Sequence, residues 1–408
     1  KGFAKEEDYD AEFKHFRTIN SRSDAYKGVV GPMFKLIEEK VFSLPNFIKK
    51  IPGPERADFI MDNVYQDGAT YVCTDYTSFE SSFTRQIMQN VEFVVYEWVA
   101  KNHPNYREWV KYARKMLDYN TIQYKSFTAK IPATRMSGEM NTSLGNGITN
   151  LILFNWNCFL QRIDQKGIVE GDDGLFAVSR VPDFAPIQSL GFTVKPSVFH
   201  DIGHASFCGQ VFDPVARQPI RDPIKSMIKM GWSPSQYKYS NKSTLTALIR
   251  ARAMSGLYEN PGCPVLNVWC RMILQKTRGV STEKVLARVH DLWQREKLLR
   301  AIECHEATFQ EPKYETRMLM EEMYNVTVAE QFIIESAIET HIDGRFCIPC
   351  IFPWERKANR DMWDSYVSRY ELPFPKNTDR KGRPASKAES YFRPADRDSL
   401  GSDVFRVG

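Results

Sequence analysis

Three aspartates carry the strongest chemical signal in this chain. Asp75 follows Thr70 to Thr74, an alternating run rich in β-formers that reads as a strand delivering the carboxylate at its carboxyl end. Asp172 and Asp173 lie in Gly171-Asp172-Asp173-Gly174. On either side, Ile168-Val169-Glu170 and Leu175-Phe176-Ala177-Val178 read as the strands of a hairpin with an acidic tip. If these strands are neighbours in one sheet, the carboxylates converge at one edge. Carboxylates so placed repel unless a cation neutralises them, and an all-oxygen set suits Mg²⁺ or Mn²⁺ rather than zinc. Two such ions about 3.5–4 Å apart can activate a hydroxyl, align it with a phosphorus and stabilise the leaving oxygen. That is nucleotidyl-transfer chemistry. Taken alone the tetrapeptide is simply a good hairpin turn, because Gly and Asp tolerate positive φ, so its meaning depends on what surrounds it.

A basic, polar opening precedes a helix around Met33 to Phe42, and Pro45, Pro52 and Pro54 then break the chain. After Asp75 the apolar positions Phe79, Phe83, Ile87, Val91, Val94, Val95 and Trp98 recur at three- and four-residue steps. They predict one long helix with a single buried stripe packed on the sheet. Thr77-Ser78-Phe79-Glu80 fits a capping box, with the Glu80 carboxylate reaching back to the Thr77 backbone. Between Asn102 and Pro132 the chain turns aromatic and basic (Tyr106, Arg107, Trp109, Lys111, Tyr112, Arg114, Lys115). This is either an inserted subdomain with a polyanion-facing surface or a solvated helix face. Ser137 to Gly147 is a flexible loop feeding an apolar helix through Leu151, Ile152, Phe154 and Phe159. From about Asp213 to Pro373 the pattern is mostly helical, Lys284 to Thr308 included, and reads as a separate lobe. Residues 376–408 are polar and proline-bearing, and read as a mobile tail.

Length and composition agree with this division. A chain of 408 residues exceeds what one hydrophobic core usually serves, so two or three lobes are expected. With 42% hydrophobic and 26% charged residues it is neither collagenous nor broadly disordered, and a net charge of +5 tolerates a polyanionic partner without proving one. The scattered cysteines (73, 158, 208, 263, 270, 304, 347 and 350) do not make the dense framework of a small secreted domain, so a reducing compartment is the default. Zinc has little support: His200, His204 and Cys208 are three ligands where four are needed, and Cys347-Ile348-Pro349-Cys350, near His341, lacks a companion pair. No apolar run approaches the roughly 18 residues of a membrane span, since even Leu151 to Leu160 is broken by Asn155 and Asn157. The missing initiator methionine at Lys1 gives the expectation that the chain was cut from something longer.

Order and spacing separate the acidic cluster from a mere turn. Asp75-Tyr76-Thr77-Ser78-Phe79-Glu80, Ser137-Gly138-Glu139-Met140-Asn141-Thr142-Ser143-Leu144-Gly145-Asn146 and Gly171-Asp172-Asp173 follow one another, with Asp75, Gly138 and Asp172 set 63 and 34 residues apart. In order and interval they resemble the first three palm motifs of the viral RNA-dependent RNA polymerases, most closely those of positive-strand RNA viruses of the tombusvirus-like kind. The resemblance covers about Lys14 to Asp213. It implies an α+β fold shaped like a right hand: fingers from 1–54 and an insertion at 102–136, a palm from 55–101 and 137–213, a helical thumb at 214–375 and a tail at 376–408. The palm would be an antiparallel sheet backed by helices. The implied activity is RNA-templated RNA synthesis for viral genome replication and transcription, by two-metal-ion nucleotidyl transfer from NTPs with release of pyrophosphate.

The same resemblance assigns residues. Asp75, Asp172 and Asp173 would bind two Mg²⁺ or Mn²⁺ ions, while Ser137, Gly138, Thr142 and Asn146 would position the template and the incoming ribose. Lys14, Arg17 and Arg22 resemble the basic fingers motif that grips the triphosphate, a task that suits guanidinium groups through paired, charge-assisted hydrogen bonds. Leu190 to Lys195 resembles the fourth palm motif, whose lysine, here Lys195, would protonate departing pyrophosphate; an exposed strand-end lysine is the bland alternative. Ser206-Phe207-Cys208-Gly209 resembles the primer-grip turn, although Phe207 and Cys208 also suit a core. Glu80 stands where many relatives carry the aspartate that supports recognition of the ribose 2′-hydroxyl, and its extra methylene leaves its reach toward Asn146 open. Implied partners are an RNA template and nascent strand, NTPs and other viral replicase components. The implied setting is the host cytoplasm, at membrane-associated replication complexes reached through partners or missing segments, since these residues supply no anchor. The initiation mode and oligomeric state stay open; no initiation element is recognisable, even around Tyr391 and Phe392.

Two other readings compete. A reverse transcriptase shares the palm carboxylates, but it predicts a bulky residue that excludes the 2′-hydroxyl and commonly an aromatic residue where this chain has Glu170. Asn146 favours a ribose-accepting pocket instead. A catalytically silent RNA-binding replication protein would use Arg107, Trp109, Lys111 and Tyr112 to hold strands, and it leaves the acidic cluster without purpose.

Overall fold

The structure, a computed structural model, describes residues 1–5, 17–230, 237, 240–287, 292–304, 309–340 and 361–362. Lys14, His341, Cys347, Cys350, Tyr391, Phe392 and the whole 376–408 segment lie outside the described residues. The chain is α+β with antiparallel sheets. It divides into two compact units, one of residues 1–51 and 58–209 and the other of 52–57 with the residues from Gln210 on.

In the first unit the strands are β1 (Gly2–Ala4), β2 (Thr18–Asn20), β3 (Thr70–Thr77), β4 (Asn120–Gln123), β5 (Thr128–Ile131), β6 (Gln165–Glu170), β7 (Asp173–Val178) and β8 (Thr193–Phe199). Four of them form the central sheet in the order β6-β7-β3-β8. The runs Tyr71 to Thr74 and Gly174 to Val178 are continuously buried, as expected of inner strands covered on both faces. The helix Thr142–Gln161 packs on the sheet, with the Phe154 and Phe176 rings stacked at 3.6 Å. The far edge of β6 is closed by residues 46–48, where the Val169 N–H donates to the Asn46 carbonyl at 2.8 Å, so that edge is not left open for pairing.

Three sequence expectations need correction. The strand bearing Asp75 does not end there: pairing with β8 carries it on to Thr77, and Asp75 sits inside it, opposite Lys195. The long helix with one apolar stripe does not form as expected either. Phe79–Ser82 is a 3₁₀ turn, Thr84 caps a new helix at Arg85, and Met88–Glu92 is a π turn that runs into Phe93–Ala100. The extra residue of a π turn rotates everything after it. Met88, Glu92, Phe93, Tyr96 and Ala100 therefore face inward, while Val94 and Trp98 turn out, 58% and 68% exposed. No capping box forms; Ser78 is left-handed at φ 53° and makes no side-chain cap. What fixes this segment instead is an aromatic cluster, Tyr76, Phe79, Phe83 and Phe192, with neighbouring centroids 4.4, 5.0 and 5.3 Å apart. Such contacts add about 0.5–1.5 kcal/mol each beyond area burial.

The third correction concerns the aromatic and basic stretch. Helix Tyr106–Ala113 buries Trp109 and Ala113, and the Trp109 indole donates to the Val30 carbonyl at 3.2 Å while its ring packs on Phe34. Trp109 is core, whereas Arg107, Lys111, Arg114 and Lys115 face outward. The first long helix is also longer than expected, Asp24–Val41, because Ser23 caps it by accepting the Tyr26 N–H; Gly28, Gly31 and Pro32 disguise its first half in the sequence.

The second unit carries the short pair β9 (Val211–Phe212) and β10 (Pro219–Ile220) and is otherwise helical among its described residues. Its core gathers Trp269, Ile273, Met320, Ile334 and Ile338. A buried fork joins Arg317 to Glu335 at 3.0 and 2.9 Å.

The strongest internal constraint of the first unit is a buried ion network. Arg135 pairs with Glu92 and also with Glu139, at 3.1 Å, all three side chains almost wholly buried. Tyr96 donates its hydroxyl to Glu92 at 2.6 Å, Asn141 donates to the Tyr96 hydroxyl at 3.2 Å, and Arg22 donates its Nε–H to Glu139 at 2.7 Å. Two guanidinium groups balance two carboxylates, so neither burial is uncompensated. Burial alone pushes Glu92 above the usual carboxylate range, and Arg135 beside it opposes that shift. We predict that Arg135→Ala, which strands Glu92 and leaves Glu139 to Arg22 alone, costs about 3–5 kcal/mol, read as a lowered urea midpoint. Glu92→Gln combined with Arg135→Gln should recover part of that loss.

Candidate active site

The hairpin β6–β7 turns through only Gly171 and Asp172, with Glu170 and Asp173 as the closing pair. Gly171 takes φ +66°, which suits the first position of a type II′ turn. Asp172 is thereby at the tip and Asp173 opens β7. Next to β7 runs β3, where Thr74 faces Gly174, so Asp75 lies one position beyond the ladder toward the tip. On its other side Asp75 is the register partner of Lys195 in β8. Sheet order thus brings residues 75, 172, 173 and 195 to one end of β3, although about 120 residues of chain separate the first from the last.

The carboxylates feel one another. Side-chain atoms of Asp172 and Asp173 reach solvent, yet the surrounding protein penalises their charges. Asp172 is raised first by desolvation, then by Glu80 and Asp75, with its own backbone N–H and Arg17 opposing. Asp173 is pushed up to about 6, by desolvation and then by Asp172, with Glu170 and Asp75 adding to the rise and the Cys208 thiol opposing it. Among the described residues, however, no group of three or more His, Cys, Asp or Glu side chains is close enough to hold a metal ion. The chemistry of the donors fits a hard divalent cation: they are all oxygens, negatively charged and under mutual repulsion that such an ion would relieve. His200, His204 and Cys208 belong to no such group.

Behind the carboxylates lies a cavity of about 110 Å³, lined by Asp75, Asp173, Cys73, Ser197, Ser206 and Phe207 among others. Phe207 is buried, and Cys208 sits at φ +51° with its thiol 3.6 Å from Glu170. Glu170 in turn accepts from Lys49 at 3.1 Å. The turn at 206–209 therefore borders the acidic residues.

The loop before the helix Thr142–Gln161 is held from three sides. The Asn20 N–H of β2 donates to the Ser137 carbonyl at 2.7 Å, and Thr142 donates its hydroxyl to the Glu139 carbonyl at 2.9 Å. Glu139 also anchors the loop in the buried ion network. Gly138 takes φ +97°, and a Cβ there would meet Ile19 at 2.7 Å, so only glycine fits. One turn into the helix, Asn146 donates to Glu80 Oε1 at 3.2 Å. The longer glutamate does reach. The Asn146 Oδ1 is buried and has no hydrogen-bond partner among the described residues, an acceptor left for a polar visitor.

The basic residues divide. Arg17 is exposed and close enough to lower Asp172 electrostatically. Arg22 lies against Glu139 and the Tyr26 ring, as a brace of the loop. Lys14 lies outside the described residues. Sequence reasoning missed Asn150, which donates to the Asp172 carbonyl at 2.9 Å and so pins the acidic turn to the helix. Its signal was available: an asparagine four residues after Asn146, on the same face of an apolar helix. Arg135 and Glu92 were missed as well, because nothing local pairs residues 43 apart in the chain.

Comparison with known proteins adds to this geometry. The family profile described as Viral RNA dependent RNA polymerase matches residues 2–342. The RNA-directed RNA polymerase of Greasy grouper nervous necrosis virus is 25% identical over 229 residues, covering 53% of this chain and 22% of that protein. That of Carnation mottle virus is 26% identical over 160 residues, 37% of this chain and 20% of that protein. In these alignments only about a fifth of each curated relative's length is matched. The solved RNA-dependent RNA polymerase of a human picobirnavirus shares the fold, with a TM-score of 0.54 at 10% identity over 71% of this chain and 61% of that one. With a profile match across most of its length, this chain belongs to the viral RNA-dependent RNA polymerase family.

Proposed function

We propose that the chain copies RNA: it joins nucleoside triphosphates on an RNA template, releasing pyrophosphate, in the replication and transcription of a viral genome. The observation that supports this most directly is the antiparallel placement of β3 between β7 and β8, which sets Asp75 beside Lys195 and within electrostatic reach of Asp172 and Asp173. In this reading residues 55–101 and 137–213 are the palm, 1–54 and 102–136 the fingers, 214–375 the thumb and 376–408 a tail.

Each residue then has a task. Asp75 and Asp172, assisted by Asp173, would hold two Mg²⁺ or Mn²⁺ ions, which when bound activate a 3′-hydroxyl and stabilise the leaving oxygen. Arg17, with Lys14, attracts the triphosphate, and Arg22 braces the loop through Glu139. Ser137, Gly138 and Thr142 shape the loop against which template and nucleotide align, and the rigid ion network behind the loop limits its drift. Asn146, oriented by Glu80, offers its free Oδ1 to a ribose hydroxyl, which supports a ribose-accepting pocket over a ribose-excluding one. Lys195 Nζ supplies a proton to the departing pyrophosphate. Most of the acceleration comes from alignment and fixed charge, since phosphoryl transfer needs little covalent help. Other replicase components would bring the protein to membrane-associated replication complexes in the host cytoplasm; among the described residues no helix is long and apolar enough to cross a membrane.

Radiolabelled NTP incorporation on a defined RNA template, with and without Mg²⁺ or Mn²⁺, tests the reading. Asp172→Asn should lower incorporation by on the order of 10³-fold or more while circular dichroism stays that of the parent. Wild-type turnover by that variant would remove the assignment. Asn146→Ala should cut discrimination between NTPs and dNTPs by about tenfold, the worth of one lost hydrogen bond, measured as the ratio of kcat/KM values.

A third expectation follows from Asp173. Its carboxyl is raised from 3.8 to about 6 in the folded protein, so the folded state holds the proton more tightly than the unfolded one. Stability falls as pH rises through that window, and the whole penalty is present above about pH 6. A divalent cation binds only the ionised site. Adding Mg²⁺ should therefore raise Tm by a few degrees at pH 7.5 and by much less at pH 5, and the rise should vanish in Asp172→Asn.

A further inference from the structure

One asparagine behind the sheet reaches both supports of the acidic residues. Asn150 lies wholly buried in the helix Thr142–Gln161. Its Nδ2 donates to the Asp172 carbonyl at 2.9 Å and to the Gly171 carbonyl at 3.3 Å. Its Oδ1 accepts the Thr74 hydroxyl at 3.4 Å, and Thr74, 3% exposed, directly precedes Asp75. A single side chain thus ties the turn that presents Asp172 to the strand that presents Asp75. A primary amide suits this task because donors and an acceptor share one planar end.

The neighbouring glycines make room for the clasp. Thr74 and Gly174 are register partners, so they share a face of the sheet. A Cβ at Gly174 would lie 2.5 Å from Thr74 Oγ1 and 3.2 Å from Asn150 Nδ2, and only a hydrogen fits there. On the helix, a Cβ at Gly147 would meet the Phe47 ring at 3.2 Å and the Gly171 nitrogen at 3.7 Å. Its absence lets the helix come close to the acidic turn.

Alternation along β3 and β7 sends Asp75 and Asp173 to the face opposite Thr74 and Gly174. Buried on the helix side, Asn150 has no route to a nucleotide or to RNA, and whatever it does for the reaction passes through the carboxylates. A position that needed only filling would be served by an apolar side chain, without desolvating an amide. Hydrogen bonds from behind that fix the residues holding an ion are what tune a metal site's affinity.

We propose that Asn150, oriented by Thr74, is a positioning residue for the divalent-cation site, holding the acidic turn and the Asp75 strand at the separation from which their carboxylates share an ion. The proposal rests on the synthesis reading above, which gives that ion its task.

The test uses the full chain with Mn²⁺ alone as the probe, its binding followed by electron paramagnetic resonance without RNA or NTP, beside NTP incorporation on a defined template. Asn150→Ala should weaken Mn²⁺ binding about tenfold or more and lower kcat on the order of 10²-fold, with the KM for NTP unchanged. Thr74→Val, similar in shape but lacking the hydroxyl, should weaken Mn²⁺ binding to a smaller degree, and Thr74→Ser should restore parental affinity. Trp109→Phe, which removes the bond to the Val30 carbonyl elsewhere in the same unit, is the control for a merely structural loss: its melting temperature should fall while its Mn²⁺ affinity stays parental. If Asn150→Ala does not fold, Thr74→Val decides alone. Parental Mn²⁺ affinity in the folded variants, with only melting temperatures lowered, would overturn the positioning role and leave the synthesis reading standing. A parent chain that neither binds Mn²⁺ nor incorporates NTP would overturn both.

Discussion

Like charges held side by side are the constraint around which the first unit is built. Asp172 and Asp173 are pushed above the usual carboxylate range by desolvation first and then by neighbouring acids, Asp75 among them, and a flexible chain would let them part. They stay because each is fixed by something other than its own neighbourhood. Strand pairing on both sides of β3 fixes Asp75, the tight turn at Gly171 fixes Asp172, and Asn150 ties that turn to the helix behind it. The repulsion is the useful part. A site that is comfortable without a cation has little reason to bind one, whereas oxygens crowded in partly desolvated surroundings gain from a divalent ion more than water does.

The buried ion network solves a second problem, that of a loop which has to be glycine-rich to take its shape and therefore resists being fixed. Gly138 is forced by its φ and by Ile19, but a glycine also frees the chain to be elsewhere. Arg135, Glu139, Glu92 and Arg22 remove that freedom by making departure expensive: moving the loop would unpair charges that water cannot reach. The π turn at Met88–Glu92 takes part in this. It is the local irregularity that puts Glu92 inward instead of toward solvent, consistent with the tendency of π turns to occur at functional positions. Stability is spent here on holding one conformation of the loop, which is what a site that aligns two reactants requires.

How much of this was legible in the sequence depended on whether the deciding interaction was local. The strands around Asp75 and the acidic turn are visible because alternation and turn chemistry act over a few residues, and the family motifs stand in order. The helix after Asp75 was misread because periodicity assumes 3.6 residues per turn throughout, and one π turn breaks the phase without leaving a mark in composition. The capping box at Thr77 to Glu80 failed for a tertiary reason. Burying Phe79 and Phe83 against Tyr76 and Phe192 outweighs a cap worth about 1 kcal/mol, and it also frees Glu80 to meet Asn146. Trp109 among basic residues left a polyanion-facing surface and a solvated helix face both open, because helical spacing alone could not say which side of Tyr106–Ala113 was inward. Arg135 with Glu92, 43 residues apart, has no sequence signal at all.

The same distinction bears on the aromatic and basic residues that follow. Basic and aromatic residues cluster twice between Asn102 and Pro132, and composition cannot rank the two clusters. Packing can. In the first, Trp109 donates to the Val30 carbonyl and meets Phe34 edge-to-face, so that ring is committed to the core. In the second, around Tyr119 to Lys130, Asn120 and Ile122 are buried, Tyr124 and Phe127 stack on that same face of the hairpin, and Tyr119 lies on the other beside Lys130. Both clusters thus hold rings and lysines that already meet one another, Lys115 over Tyr112 and Lys130 over Tyr119, so their composition overstates the surface left for a partner.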